Sequence, residues 1–387
     1  MKHVVFVSSN YPSNALPFHG TFVRQLVLGI ARLGVKCSVI SPASIFQRRY
    51  GDFDAERSLD LSISDNPITI LRPRYISFSN KNLLAFNTAH LTQISFKKAV
   101  SRAMSHLDYP PCLLYGHFLY QSGAIAVHIA SKLVIPSIVA VGESSFWSVE
   151  PMGYKKAIRD FEQVTGVIAV SNLIKKNLIK QLLIPEEKII VLPNGVDLKL
   201  FNPRNRYNMR NKHKLPQNKF LIVFAGHFDE RKGPHRLLAA VSGMDDVGLI
   251  FIGSGRVPLN GENIFFKGTV DHTVMPEILS AADIFVLPTL SEGSCNAILE
   301  ALACGIPIVT SAGEFNDDIV DETVALRINP LDINEIRSAI LQLKGDLTLR
   351  SVLSIRSQEK AKHFDINVRA ARILEWIQTR QTLRGSC

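Results

Sequence analysis

The sequence predicts an α/β protein of two doubly wound domains, each a parallel sheet wrapped by helices, facing each other across a cleft. Three observations predict it. Unbroken Val/Ile/Leu runs, which mark strands buried on both faces, recur along the chain. Helical patterns fall between them, and strand–helix alternation builds a parallel sheet. The series stops at a turn-rich, basic loop and then starts again. At 387 residues with 46% hydrophobic and 20% charged side chains, the chain has the length and apolar content for two such cores.

The first series opens with HVVFVS (3–8), a helix over 20–34 and KCSVIS (36–41). CLLYG (112–116), PSIVAVG (136–142) and GVIAVS (166–171) continue the strands, with helices near 88–107, 118–133, 151–162 and 172–182, and IIVLPNGVDLKLFNPRNRY (189–207) ends a further strand with turn residues. Residues 109–131 carry no Asp, Glu, Lys or Arg, but Pro110, Pro111, His117, Gln121 and His128 make a lipid-facing helix unfavourable. A strand, a loop and a packed helix are expected there. The second series runs through FLIVFAG (220–226), VGLIFIGSG (247–255), DIFVLPT (283–289) and PIVTS (307–311), with helices near 232–242, 273–281, 294–304 and 332–344. The expected domains are 1–195 and 196–364, joined around Pro193–Pro203. A last helical segment, 365–387, is expected to return to the first domain.

Net charge is +10, and it is unevenly spread: residues 1–195 hold 21 basic and 12 acidic side chains, residues 196–387 hold 23 and 22. The first domain should therefore meet something anionic. Aromatic–basic interleaving and helix-turn-helix signals are missing, which argues against nucleic acid. Five scattered cysteines without CxxC spacing support neither a zinc site nor a disulfide framework and fit a reducing compartment. The amino-terminal apolar run is too short for a signal peptide, so a cytoplasmic chain is expected.

The chemistry concentrates in two stretches. In LPTLSEGSCNAILEALACGIP (287–307) a strand ends, Glu292 and Gly293 form a turn, and a helix starts near Ser294 and ends at Gly305. Glu292 and Glu300 are spaced E-x7-E, one at the helix mouth and one about two turns up. The free amides of Ser294, Cys295 and Asn296 favour an anion. The set suits a polyhydroxylated, phosphate-bearing ligand. Spacing alone also allows an exposed Glu300 and a Glu292 that serves only the helix dipole. In FAGHFDERKGPHRLLAAV (224–241), Lys232-Gly233 at a helix start reads as a phosphate site or as a plain charged turn.

Together these stretches resemble the GT-B glycosyltransferases of family 4 (group 1), retaining enzymes that use nucleotide sugars on two Rossmann-like domains. HGTFVRQLVLGIARLGVKCSVI (19–40), GVIAVSNLIKKNLI, VLPNGVDLKLF, FAGHFDERKG, FIGSG, FKGTV, ADIFVLPTLSEG and ILEALACGIPIV occur in the family's order and span essentially the whole chain. The resemblance implies that Glu292 binds donor-sugar hydroxyls, helped by Gly293, Ser294, Cys295 and Asn296. It implies Glu300 on the ribose, and Gly268, Thr269 and Val270 lining the nucleobase pocket. Lys232 would neutralise the departing diphosphate. Gly20 would let backbone approach the donor phosphates, and His117 would sit beside the reacting sugar. No metal or other cofactor is expected. The family usually has Arg where this chain has His227; His227 is expected to face the donor phosphates in its place with at most a partial charge, and Arg231 would substitute if the loop turns it inward. AGEFNDDIV (312–320) also departs from the family's double glycine.

The expected activity is a hexosyl transfer to a polysaccharide, glycolipid or lipid-linked sugar in cell-envelope biosynthesis. The alternative is a catalytically weakened relative that binds a nucleotide sugar as a sensor or partner subunit. Lys81, Lys97, Lys98, Arg102 and His106 beside Leu83, Leu84, Phe86 and Phe96, with Lys155, Lys156 and Arg159, read either as ordinary solvated helix faces or as peripheral contact with an anionic membrane on its cytoplasmic face. Glu143 in VGESSFW is a candidate acceptor contact.

Overall fold

The computed structural model describes residues 2–14, 16–17, 19–46, 56–83 and 86–382. Leu84 and Cys387 lie outside them. Two compact units emerge, Met1–Leu192 with Asn367–Cys387, and Pro193–Ile366. Both are Rossmann-like.

In the first unit, beside two short two-stranded pairs, the strands of the main sheet are β1 (His3–Val7), β2 (Lys36–Ile40), β3 (Arg57–Asp60), β4 (Ile68–Leu71), β5 (Leu113–His117), β6 (Ser137–Val141), β7 (Gly166–Ala169) and β8 (Ile189–Val191). They form one sheet in the order β8-β7-β6-β5-β1-β2-β4-β3. All neighbours are parallel except the β3–β4 edge pair. The apolar runs give buried strands: β1, β5 and β6 are buried at every position. The charge-free stretch 109–131 resolves into β5, a tight turn and the helix Ala124–Leu133. No helix among the described residues is long and apolar enough to cross a membrane. The helix Ile366–Thr382 packs on this unit from Asn367 onward. Trp376 covers Gly166 so closely that a Cβ there would lie 2.4 Å from its ring, and Arg32 donates to Asn367 at 3.1 Å.

The second unit has β9 (Phe220–Ala225), β10 (Val247–Ile252), β11 (Ile264–Gly268), β12 (Ile284–Leu287), β13 (Ile308–Ser311) and β14 (Ala325–Ile328). These lie all parallel in the order β11-β10-β9-β12-β13-β14. Four strands escape the apolar-run pattern. In β11 half-buried and exposed positions alternate, as on an edge strand, and Lys267 interrupts its apolar residues. β3 is largely polar, with exposed and half-buried positions alternating. Thr69 interrupts the apolar residues of β4, and Arg327 those of β14.

Strand order reverses between β5 and β1 in the first unit and between β9 and β12 in the second. Ligands of such sheets bind beyond the carboxyl ends of the strands at these switch points.

Candidate functional site

The second unit brings Lys232 and Glu292 together at its switch point. Lys232 follows β9 and Glu292 follows β12. The Lys232 ammonium lies 2.5 Å from Glu292 Oε1, and both side chains are buried. Thr289 Oγ1 donates to the same oxygen at 2.8 Å, and the Arg231 guanidinium reaches it at 3.3 Å while donating to the Ser291 carbonyl at 2.8 Å. Burial alone would lower the Lys232 pKa; the nearby Cys295 sulfur and Glu292 carboxylate overcome this and raise it. Cys295 is itself pushed up to about 11 by burial, so the Glu292 carboxylate is the charge that holds Lys232 at neutral pH.

Local chemistry builds this loop. Gly233 is left-handed at φ 70°, and Pro234 opens the next helix with a preset φ. Asp229 accepts the Lys232 amide at 2.8 Å. Arg236 is buried and donates to the Pro288 carbonyl at 2.8 Å and to Glu230 at 2.8 Å, so it ties the β9 loop to the β12 loop. The helix after Glu292 runs Asn296–Ala303 with Cys295 at its N-cap, two residues later than Ser294, and Gly305 ends it at φ 67°. Among the described residues, the backbone amides of Gly293, Ser294 and Cys295 have no acceptor. Asn194 fixes this turn: its amide donates to Ser294 Oγ at 3.0 Å and its side chain to Asn296 Oδ1 at 2.9 Å.

Glu300, on the same helix, pairs with His272, Oε1 to Nε2 at 2.9 Å. His272 sits four residues beyond Gly268, in the loop that Thr269 and Val270 begin, and its ring meets Phe201 edge-on. Burial opposes its charge, but the bond to Glu300 and the charges of Glu300, Asp271 and Asp197 leave its pKa raised. Gly268, Thr269 and Val270 form the mouth of that loop, with Thr269 exposed.

His227 is exposed and has no partner among the described residues. Arg231, not His227, is the residue brought to Lys232 and Glu292. In the 312–320 stretch, Phe315 is buried against Gly313, and Glu314 stays exposed.

The first unit places Gly20 and His117 at its own switch point. Gly20 is left-handed at φ 75° and heads the helix Thr21–Arg32; a Cβ there would lie 2.3 Å from the Asn10 carbonyl. His117 ends β5. It is buried, and its pKa falls to about 3 because of burial and then the nearby Arg369 cation. Its Nδ1 has no partner among the described residues, and Phe22 packs on its ring at 5.3 Å. Glu143 is turned inward, accepting the Leu119 amide at 2.7 Å and the Gly142 amide at 3.2 Å, and burial lifts it to about 7.

Sequence reasoning passed over Asn194, Thr289, Arg236, His272 and Arg369. Asn194 and Thr289 lie inside the quoted VLPNGVDLKLF and DIFVLPT stretches. The other three are ordinary polar side chains until the fold brings their partners to them.

Two family descriptions match the chain: Glycosyltransferase Family 4 over residues 19–200 and Glycosyl transferases group 1 over residues 205–360. The Bacillus subtilis (strain 168) protein TuaC, a glycosyltransferase assigned to teichuronic acid biosynthesis, is 27% identical over 359 residues, 89% of each chain. The Escherichia coli UDP-Gal:alpha-D-GlcNAc-diphosphoundecaprenol alpha-1,3-galactosyltransferase is 30% identical over 204 residues, 48% of this chain and 52% of its own. Among solved structures, Anabaena Alr3699/HepE in complex with UDP superposes with a TM-score of 0.71 at 17% identity, covering 98% of this chain and 100% of that one. With both halves matched and both sheets Rossmann-like, the chain belongs to the family 4, group 1 glycosyltransferases of GT-B fold.

Proposed function

We propose that this glycosyltransferase moves a hexose from a nucleotide diphosphate sugar to a lipid-linked sugar or a cell-envelope polysaccharide, with retention at the anomeric carbon and without a metal. The observation that carries this reading is the Lys232–Glu292 pair, set at a switch point beside three amides with no acceptor among the described residues. A bound diphosphate competes for the Lys232 ammonium and the Arg231 guanidinium. Glu292 is then released toward the sugar hydroxyls. The bond from the anomeric carbon to the diphosphate breaks, an acceptor oxygen bonds that carbon, and the acceptor proton leaves with the nucleotide. The charge growing on the departing diphosphate is met by Lys232, Arg231 and the amides of 293–295; such stabilisation is usually the largest catalytic term. Glu300 accepts ribose hydroxyl protons, held in place by His272. His117, neutral over the working pH range, offers the sugar a polar contact without charge.

The acceptor class rests on the basic first unit and on relatives named for teichuronic acid and for a diphosphoundecaprenol-linked sugar. The same basic character supports peripheral contact with an anionic membrane surface. The alternative, a nucleotide-sugar binder with weakened catalysis, draws on His227; Arg231 at 3.3 Å from Glu292 supplies the missing guanidinium and favours the enzyme.

The test is transfer from UDP-, GDP- and ADP-sugars to a polyprenyl-diphosphate-linked sugar, with the product's anomeric configuration read by NMR. One donor should give product of unchanged configuration. Tight donor binding with neither transfer nor hydrolysis would favour the alternative, and an inverted product would overturn the retaining mechanism.

A further inference from the structure

The helices Ala89–Met104, Ala124–Leu133 and Tyr154–Phe161 lie together on the first unit and enclose a hollow of about 440 Å³. The first helix lends it Lys97, the second His128, and the third Lys156, Arg159 and Asp160. Asp160 is the only carboxylate in the lining, and it is already engaged. It takes the Lys156 ammonium at 2.5 Å and the Tyr120 hydroxyl at 2.6 Å. Lys97 and Arg159 have neither an acidic nor a hydrogen-bonding partner among the described residues. Three cations against one carboxylate leave the hollow doubly positive. His128 registers this crowding: its pKa is lowered by burial and then by Lys97, Lys132 and Lys156, with Asp160 opposing.

Lys97, Lys156 and Arg159, from two helices, converge on one hollow and repel one another there. A bound anion offsets that repulsion. The rim identifies which anion. Ile94 lines the hollow and is 49% exposed, and Leu91, one turn earlier on the same helix, is 37% exposed. Apolar side chains beside convergent cations suit the boundary between lipid headgroups and acyl chains. By contrast, Lys98, Arg102 and Lys155, on the same helices, do not line the hollow.

We propose that this hollow binds the phosphate of a membrane lipid headgroup through Lys97, Lys156 and Arg159, with Ile94 entering the lipid surface. It rests on the reading that the chain works at an anionic membrane, and vesicle binding tests it apart from sugar transfer.

The experiment is cosedimentation of the full chain with phosphatidylcholine vesicles, with and without phosphatidylglycerol. Two double variants of equal charge change are compared: Lys97→Gln with Arg159→Gln, and Lys98→Gln with Lys155→Gln. Both sets of positions are solvent-accessible, and unchanged thermal melting verifies folding. The first pair should weaken binding to anionic vesicles by about tenfold or more, the second pair far less. Equal losses would leave the membrane reading standing and overturn the site. Failure of the wild type to bind anionic vesicles would overturn the membrane reading itself. Inorganic diphosphate and Ile94→Ser separate the sources: Ile94→Ser should weaken vesicle binding and leave diphosphate binding unchanged. Diphosphate binding that needs Lys97 and Arg159 without vesicle binding would assign the hollow to a soluble phosphate and overturn the lipid.

Discussion

His272 Nε2 and Glu300 Oε1 share a 2.9 Å hydrogen bond in the second unit, so the carboxylate expected to meet the ribose is held before any nucleotide arrives. The pair joins the loop after β11 to the helix Asn296–Ala303. Burial would lower the His272 pKa, but Glu300 leaves it raised.

A histidine with a raised folded pKa stabilises fully below its unfolded value of about 6.5, and that stability fades as pH rises through the folded value. Melting temperature should therefore carry a component that declines with pH above about 6.5. His272→Gln should remove it while keeping a hydrogen bond to Glu300. An unchanged pH profile in that variant would break the link.

Glu292 and Lys232 form the second test. Both are buried, so removing one strands the other's charge. Glu292→Ala or Lys232→Ala should each cost about 1–3 kcal/mol in chemical denaturation. The double variant Lys232→Met with Glu292→Gln should recover part of that and remain inactive. Additive losses would show that the two do not interact in solution.

Arg231 should matter more than His227. Only Arg231 reaches Glu292. Arg231→Ala is expected to lower kcat/KM by roughly 10–100-fold, because one charged partner of the leaving diphosphate is lost. His227→Ala should change it little. The reverse order would return the phosphate role to His227.

How much of this was legible in the sequence depended on where the information lay. Unbroken apolar runs announced β1, β2, β5, β6, β7, β8, β9, β10, β12 and β13, because strands covered on both faces need no polar positions. β3 and β11 stayed hidden because edge strands alternate or are polar. The E-x7-E spacing and Lys232-Gly233 marked residues that the fold places at one sheet edge. Spacing could not tell that Glu292 would be engaged by Lys232, Arg231 and Thr289, or Glu300 by His272, since each partner comes from a different loop. Glu143 read as a candidate acceptor contact, and nothing in its sequence pointed to the backbone amides of Leu119 and Gly142 that hold the carboxylate inward.

If Lys232 and Arg231 neutralise the leaving diphosphate, transfer should persist in EDTA. A strict need for manganese or magnesium in the same assay would contradict that assignment.

The most direct test is isothermal titration of the wild type, Glu292→Ala and Glu300→Ala with one nucleotide sugar and with its bare nucleoside diphosphate. Glu292 should favour the sugar-bearing ligand over the bare nucleotide, so Glu292→Ala should narrow the gap between the two affinities. Glu300→Ala should weaken both by a similar factor. Wild-type binding of neither ligand, or unchanged sugar selectivity in Glu292→Ala, would contradict the donor site at Lys232 and Glu292.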